Sequence, residues 1–293
     1  MTKNLGLGAN YVRTALLMAF LVALLAIGGQ LMGGTQGMFL FASIGLVMNF
    51  VMYWFSDRIA LLAHRAREVG LAEAPSLHRV VERLAERAGI PKPRVYLIPS
   101  ESPNAFATGR NPEHAVVAVT EGLLQILSER ELEGVIAHEM SHVRNRDILI
   151  ATIAAAVAGV VAAAGHAIQW SLLFAGRRDD DEGGASAAGA LAWALLAPFI
   201  AMLVQLAISR SREYGADATG AALTGDPDAL ADALERLEDS KRVLPYEFAG
   251  PATAHLFIVN PLRSGVMASV LSLFSTHPPT EERIRRLRAM RGT

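Results

Sequence analysis

The stretch SERELEGVIAHEMSH, residues 128–142, decides how the surrounding chain folds. Ser128 and Glu131 have the spacing of a capping box, in which two side chains satisfy backbone N–H groups at the start of a helix. An apolar stripe gives this helix a face to bury: Leu132, Val135 and Ile136. We therefore expect a well-capped helix that packs inside a folded domain.

The same helix carries an H-E-x-x-H motif, residues 138–142. His138 and His142 lie four residues apart, so their imidazoles share one helix face and can bind one metal ion. Glu139 lies beside that ion, where it can take a proton from a metal-bound water and pass it to a leaving amine. Zinc lowers the pKa of its water toward ~7, which predicts metal-assisted peptide hydrolysis. The alternative is a chance pair of surface histidines.

A catalytic zinc ion usually has three protein ligands and one open position. We predict Glu213 as the third ligand, within SREYGAD, residues 211–217. Asp217 lies one helical turn further on, where it can accept a hydrogen bond from the outer nitrogen of a ligand histidine. The spacing alone leaves open that Glu213 and Asp217 are an ordinary solvated acidic pair.

The composition excludes several other kinds of site. The 293 residues include no cysteine, which excludes disulfides and thiolate metal ligands. Basic and acidic residues nearly balance, 27 against 28, so the chain has no basic excess for binding nucleic acid. Apolar residues make up 52 % of the chain, and many of them lie in four uncharged runs.

The first two apolar runs, residues 14–33 and 38–55, are each close to the ~20 residues that span a bilayer. A short uncharged link joins them, which predicts a tight transmembrane hairpin. The length of the first run and the nearby second span favour an uncleaved anchor over a signal peptide. Basic residues flank the pair and are absent from the link: Lys3, Arg13, Arg58, Arg65 and Arg67. The positive-inside rule then places both flanks in the cytoplasm.

The other two uncharged runs, residues 148–176 and 187–209, flank an acidic loop. Their alanine-rich composition fits a second transmembrane pair or a buried hairpin of core helices. Because His142 and Glu213 flank this pair, the chain must leave and return on the same side for both to bind one metal ion. The metal site is then expected close to the membrane surface.

The rest of the chain has the composition of a soluble α+β domain. A helical period predicts a helix at residues 76–87, and short apolar runs predict strands at 94–99 and 115–119. Thr120 is placed to cap a short helix, and Thr280 is placed to cap a last helix rich in arginine.

These patterns predict a mainly α membrane protein, with about four transmembrane or apolar helices and an α+β zinc peptidase domain. We divide the chain into four segments: an N-terminal transmembrane hairpin (1–56), the first part of the peptidase domain with the H-E-x-x-H helix (57–147), a second apolar pair with the acidic loop (148–209), and the second part of the peptidase domain with the third ligand (210–293).

The order of these motifs resembles the HtpX family of membrane zinc endopeptidases, which is related to the CAAX prenyl-protein endopeptidases. The resemblance covers nearly the whole chain. Its motifs are the leading spans, Asn104-Ala105-Phe106, the H-E-x-x-H helix, two more apolar runs, Arg212-Glu213-Tyr214-x-Ala216-Asp217, and Thr276-His277-Pro278-Pro279 followed by Arg283-Ile284. It implies a gluzincin-like site with one zinc ion per chain and Glu213 as the third ligand.

The resemblance also implies a cellular role that no residue pattern supplies. It implies stress response and quality control, with cleavage of misfolded membrane proteins as substrates. The expected location is the bacterial inner membrane, with several passes and the active site facing the cytoplasm. The expected partners are protein substrates and the lipid bilayer, without nucleic acid, and the oligomeric state is left open.

Two further assignments rest on the resemblance. Asn104 and Ala105 match an edge strand that pairs with extended substrate in similar peptidases, whereas Pro103 leaves open a simple turn. His277 matches a residue that approaches the site and stabilises the oxyanion, and its alternative is a helix-entry residue before a Pro-Pro pair.

Three other functions are alternatives to a membrane peptidase whose active site lies outside the bilayer. An intramembrane protease would bury the charges around the motif at high cost: Glu129, Arg130, Glu131, Glu133, Arg144, Arg146 and Asp147. A non-catalytic zinc-binding scaffold or chaperone has no need of a base at Glu139. A metal transporter needs more inward polar groups than the apolar runs contain. We therefore expect a zinc metalloendopeptidase that hydrolyses internal peptide bonds at the cytoplasmic membrane face.

Overall fold

The computed structural model describes residues 3–148, 210–240 and 278–291. Most of the second apolar pair, residues 149–209, lies outside the described residues, and so does His277. The sequence predictions made for those positions stay predictions.

The N-terminal region is a long helical hairpin. Helix α1 (Lys3–Ala63) is broken at Gly33 and Gly34, where the backbone leaves the helical conformation and Gly34 has φ +58°. The side-chain amide of Asn49 donates to the carbonyl oxygen of Met18, which lies 31 residues earlier, at 2.9 Å. This contact shows that the two arms run antiparallel, as the sequence predicts.

The second arm of the hairpin has the surface of a membrane span. Gly33–Phe55 is long and apolar enough to cross a bilayer, and the rest of the described chain covers almost none of it. The first arm contains a shorter apolar stretch, Thr14–Gln30. Large apolar side chains on both arms are exposed, among them Leu16, Phe20, Phe39, Leu40, Phe50 and Trp54.

A four-stranded sheet follows the hairpin, in the spatial order β1-β2-β4-β3. The strands are β1 (Arg67–Glu68), β2 (Arg94–Ile98), β3 (Ala105–Thr108) and β4 (Val116–Thr120). β2 and β4 are parallel, and the other two pairs are antiparallel. β2 and β4 confirm the two predicted strands, whereas the two-residue β1 has too short a pattern to be predicted. β3 lies at one edge of the sheet.

Each face of the sheet packs against a different part of the chain, because successive residues of a strand point to opposite faces. Val95, Val117 and Val119 join the large core formed with the helices of the peptidase domain. Phe106 and Ala118, on the other face, pack against the end of the hairpin through a cluster that includes Leu61. The hairpin therefore holds the sheet directly, without a flexible linker.

Six helices complete the described fold: α2 (Pro75–Ala88), α3 (Glu121–Ile126), α4 (Glu129–Asn145), α5 (Arg210–Thr224), α6 (Pro227–Ser240) and α7 (Thr280–Arg288). The capping box of Ser128 and Glu131 at the start of α4 is confirmed, and Thr120 caps α3 by accepting from the Leu123 N–H. The prediction that Thr280 caps α7 is wrong. Its hydroxyl donates to Glu238 on α6 instead, so it ties two helices together.

Two glycines let the other helices approach α4 closely. A Cβ at Gly134 of α4 would lie 2.5 Å from the backbone nitrogen of Leu230 on α6. A Cβ at Gly220 of α5 would lie 3.0 Å from the backbone nitrogen of His138 on α4. The second crossing brings α5 against the part of α4 that carries the metal-binding motif.

Candidate active site

His138 and His142 of α4 and Glu213 of α5 meet in one cluster. The two histidine Nε2 atoms are 3.3 Å apart, and each lies 3.6 Å from an oxygen of the Glu213 carboxylate. Ligand atoms around a tetrahedral zinc ion, bonded at roughly 2.0–2.2 Å, stand about 3.3–3.6 Å apart. The three side chains are therefore spaced and aimed as ligands of a single ion.

His138 is oriented by two residues that are distant in sequence. Its Nδ1 lies 2.8 Å from Oδ1 of Asp217, so this nitrogen carries the proton and Nε2 remains a ligand. Arg283 of α7 donates to both oxygens of Asp217, from Nε at 2.9 Å and from Nη2 at 2.7 Å. Arg283, Asp217 and His138 thus form a buried relay that ends at the metal position.

His142 is supported by its own end of α4. Arg146 adopts the left-handed conformation, φ +58°, and ends the helix. The chain then turns back, so that the Asp147 N–H donates to the His142 carbonyl oxygen at 3.0 Å. The Asp147 carboxylate lies 3.6 Å from His142 Nδ1, which is an electrostatic contact longer than a hydrogen bond.

Glu139 joins the motif to the edge strand. Its Oε2 accepts a hydrogen bond from the Ala107 N–H of β3 at 3.0 Å, and the residue is buried. The bond fixes one carboxylate oxygen and leaves the other for a second partner. A general base needs this kind of fixed orientation beside the atom that it deprotonates.

The same hydrogen bond shows which way β3 faces. The Asn104 carbonyl oxygen accepts from the Thr120 N–H, and the Asn104 N–H donates to the Thr120 hydroxyl, so the Asn104 backbone faces β4. Successive residues of a strand direct their backbone groups to opposite sides. Ala105 and Ala107 therefore direct theirs to the open edge, where Glu139 meets Ala107.

Buried charges at the site favour a cation. The carboxylates of Glu213 and Asp217 contact the buried ring of His138, and the buried guanidinium of Arg283 forms an ion pair with Asp217. Burial of the ring lowers the pKa of His138, but hydrogen bonds to Asp217 and Glu213 outweigh this and raise it to about 9. His138 therefore binds its proton more tightly than a free imidazole does, and a metal ion at this position competes with that proton.

Burial also separates the site from an ordinary surface cluster. Glu213 is 4 % exposed and Asp217 is 2 % exposed, so these residues are not a solvated acidic pair. Burial raises the pKa of Asp217, but the charge of Arg283 outweighs that effect and holds the pKa well below its usual value. The structure brings His138, His142, Glu213 and Asp217 together, and it places Glu139 of the same helix against β3.

Two residues of the site were missed by the sequence reasoning. The sequence analysis counts Asp147 only among the charges beside the motif, although a carboxylate just past the end of a metal-binding helix indicates a partner for a ligand histidine. Arg283 appeared only as part of a family motif. No local pattern connects it with Asp217, which precedes it by 66 residues.

Comparisons with known proteins agree with this geometry. The model of Peptidase family M48 matches residues 71–291 of the chain. A protein described as "Protease HtpX homolog" from Pyrococcus furiosus is 57 % identical over 284 residues, which cover 97 % of this chain and 96 % of the relative. A second protein with the same description, from Desulforapulum autotrophicum, is 53 % identical over 280 residues, which cover 95 % of this chain and 89 % of that relative. The matches confirm the resemblance to the HtpX family.

A solved structure shows the same fold at greater distance. The crystal structure of S. mikatae Ste24p superposes with a TM-score of 0.52 at 20 % sequence identity. The match covers 85 % of this chain but 57 % of the longer Ste24p chain. At this identity the likeness concerns the fold alone.

Proposed function

This chain belongs to peptidase family M48 as a membrane-bound metalloendopeptidase, and we propose that His138, His142 and Glu213 hold one zinc ion at its active site. The observation that carries the proposal is the spacing of the three ligand atoms, 3.3 to 3.6 Å. Two imidazoles and one carboxylate form a typical catalytic zinc set, with a fourth position open. Magnesium and calcium prefer sites made wholly of oxygen ligands.

Glu139 is the proposed general base. When bound, zinc supplies Lewis-acid chemistry, which lowers the pKa of a water and polarises the scissile carbonyl. Glu139 takes the proton from the attacking water and delivers it to the leaving nitrogen. The Ala107 N–H keeps its carboxylate directed at the site during both transfers. Asp217 meanwhile holds the proton of His138 on Nδ1.

The open edge of β3 is the proposed binding place for substrate. Ala105 directs its N–H and C=O away from β4, two residues before the Ala107 N–H that meets Glu139. An extended peptide can add to such an edge as a further strand. Asn104 contributes by holding the start of the strand through its bonds to Thr120. His277, which lies outside the described residues, is the proposed residue that stabilises the oxyanion.

We further propose that the substrates are misfolded or membrane proteins, presented at the cytoplasmic face of a bacterial inner membrane. The hairpin supports a site near the bilayer, because its end packs directly on the sheet that carries β3. The flanking basic residues support the cytoplasmic side. Because the chain has no cysteine, one cysteine introduced at Gln36 or at Glu113 can be labelled from either side of the membrane. We expect the two positions to be labelled from opposite sides of the membrane. Labelling of Glu113→Cys from outside the cell would show that the orientation is the opposite of the one proposed.

The proposal is tested by cleavage of casein with detergent-purified protein, alongside zinc content. The wild-type chain and Glu139→Gln should each contain one zinc ion, and only the wild type should cleave. Zinc in both without cleavage in either would favour a scaffold, and absence of zinc from both would overturn the ligand assignment. Glu213→Gln is expected to lose the zinc ion as well as the activity.

A further inference from the structure

Two arginines lie on aromatic rings at the end of the apolar span. The guanidinium carbon of Arg110 is 4.7 Å from the centre of the Trp54 ring, and that of Arg58 is 5.7 Å from the centre of the Phe55 ring. Both distances are within the ~6 Å of a cation–π contact. The two rings belong to the last two residues of the candidate span Gly33–Phe55.

Neither arginine has a carboxylate partner among the described residues. Arg110 donates to Nε2 of His114, because a guanidinium can only donate. Arg94, in the same region, differs from both, because its charge is neutralised by Asp57 at 3.4 Å and by Glu68 at 3.9 Å. Arg58 and Arg110 therefore present net positive charge at this level of the hairpin.

The loop that carries Arg110 is held in one conformation. Gly109 has φ +135°, and a Cβ there would lie 2.5 Å from the carbonyl oxygen of His114. The Asn111 side chain accepts from the His114 N–H and caps the turn Pro112–His114. Arg110 therefore reaches Trp54 from a closed and internally bonded loop, which limits the entropy lost when it binds an anion.

The position of the rings identifies the anion. Tryptophan and arginine at the end of an apolar span lie at the headgroup level of a bilayer, with the arginine stem on apolar surface and its charge toward the phosphates. Trp54 and Phe55 are consecutive helix residues, so their two side chains leave the helix about 100° apart. Because both rings belong to the end of the candidate span, anionic lipid headgroups fit this position better than a free anion does.

We propose that Arg58 and Arg110 bind the phosphate groups of anionic phospholipids. The proposal rests on the placement of the protein in a membrane, and it does not depend on whether the protein hydrolyses peptide bonds. Arg110 lies two residues after Thr108, the last residue of β3. A lipid phosphate on Arg110 therefore sets the height of the substrate-binding edge above the bilayer, through a loop that belongs to the peptidase domain.

The experiment counts the phospholipids that the full chain retains. The Glu139→Gln protein, chosen to prevent self-cleavage, is incorporated into bilayers of phosphatidylcholine with phosphatidylglycerol, extracted with mild detergent and examined by native mass spectrometry. Arg110→Gln and Arg58→Gln are each expected to weaken retention of phosphatidylglycerol about fivefold, and the double variant about twentyfold. Retention of phosphatidylcholine should not change.

Arg79→Gln is the matched control, because Arg79 is exposed on α2 and has no ion pair among the described residues. Equal losses in Arg79→Gln and Arg110→Gln, or equal retention of the two lipids by the parent protein, would overturn the proposal. So would displacement of phosphatidylglycerol by inorganic phosphate at the same concentration, since that shows a free-anion site. Co-flotation with vesicles is measured in parallel, because a parent protein that does not float refutes the membrane placement itself.

Discussion

The two histidines of one helix are supported in opposite ways. His138 is 1 % exposed and is held by Asp217 and Arg283, which come from α5 and α7. The His142 side chain is 16 % exposed and is held by Asp147, five residues along the same chain segment. One metal site can therefore hold one ligand in place through tertiary packing and another through a local turn. Substitutions on the two sides should therefore differ in size and in kind.

Arg283→Met is expected to have the largest effect. It leaves the Asp217 carboxylate buried without its guanidinium partner, and loss of one member of a buried ion pair costs about 3–5 kcal/mol. The free energy of unfolding of the zinc-free protein, measured by denaturant titration in detergent, gives the effect. Arg285→Met is the control on the same helix, because that side chain is 77 % exposed, and it should change stability by less than about 0.5 kcal/mol. Adding Asp217→Asn to Arg283→Met should recover part of the loss, and purely additive losses would contradict the relay.

The pH dependence of zinc binding tests the charge balance around His138. The pKa of His138 is raised to about 9 without metal, so zinc must displace its proton at neutral pH. Affinity should rise about tenfold per pH unit between pH 7 and 9, with close to one proton released per zinc from this residue. Calorimetry in buffers of different ionisation enthalpy measures the proton count. A count near zero at pH 7.5 would contradict the assignment.

The same shift predicts how the stability of the zinc-free protein depends on pH. Because the folded pKa of His138 lies above its ordinary value of 6.5, its proton stabilises the folded state fully below pH 6.5. This contribution is lost as the pH rises through about 9. Asp217→Asn should flatten the change, since it removes the first of the hydrogen bonds that raise the pKa of His138. Denaturant titration of both zinc-free proteins in detergent, from about pH 6 to about pH 10, measures the change, and equal slopes for the two proteins would contradict it.

Asp217→Asn and Asp147→Asn compare the two sides directly. Asp217 is hydrogen-bonded to its histidine at 2.8 Å, and loss of such a partner typically costs 10–100-fold in metal affinity, so about that loss is expected. Asp147 stands 3.6 Å from a partly exposed ring, so we expect a loss of about threefold or less. Competition with a fluorescent zinc chelator measures both variants. Equal losses would show that the two histidines depend equally on their carboxylates.

Gly220→Ala tests the helix crossing behind His138 and should have the smallest effect. The new Cβ would lie 3.0 Å from the His138 backbone nitrogen, so α5 must shift slightly, at a net cost of about 1 kcal/mol. Gly215→Ala is matched on the same helix, where a Cβ meets open space, and should stabilise by up to about 1 kcal/mol. Thermal unfolding of both variants decides. A stabilising effect of Gly220→Ala would show that the crossing of α5 and α4 has room for a methyl group.

Local patterns were enough to predict most elements of the described fold. The capping box of Ser128 and Glu131 and the cap at Thr120 are formed by residues within one turn of each other. The spacing of His138 and His142 places them on one helix face in the same way. β1 and the contact of Thr280 with Glu238 escaped prediction, because each depends on a partner from another element.

The sequence by itself determined the motif, the apolar hairpin and the chemical class of the ligands, because each follows from residues close together along the chain. Only the tertiary structure decided that Glu213 and Asp217 are buried beside His138, that Arg283 neutralises Asp217, and that the Ala107 N–H holds Glu139. These contacts join residues that lie 32 to 79 positions apart, and packing of α5, α7 and β3 on α4 brings them together. Hydrogen bonding and charge balance in a buried site depend on that packing, and no local spacing encodes it.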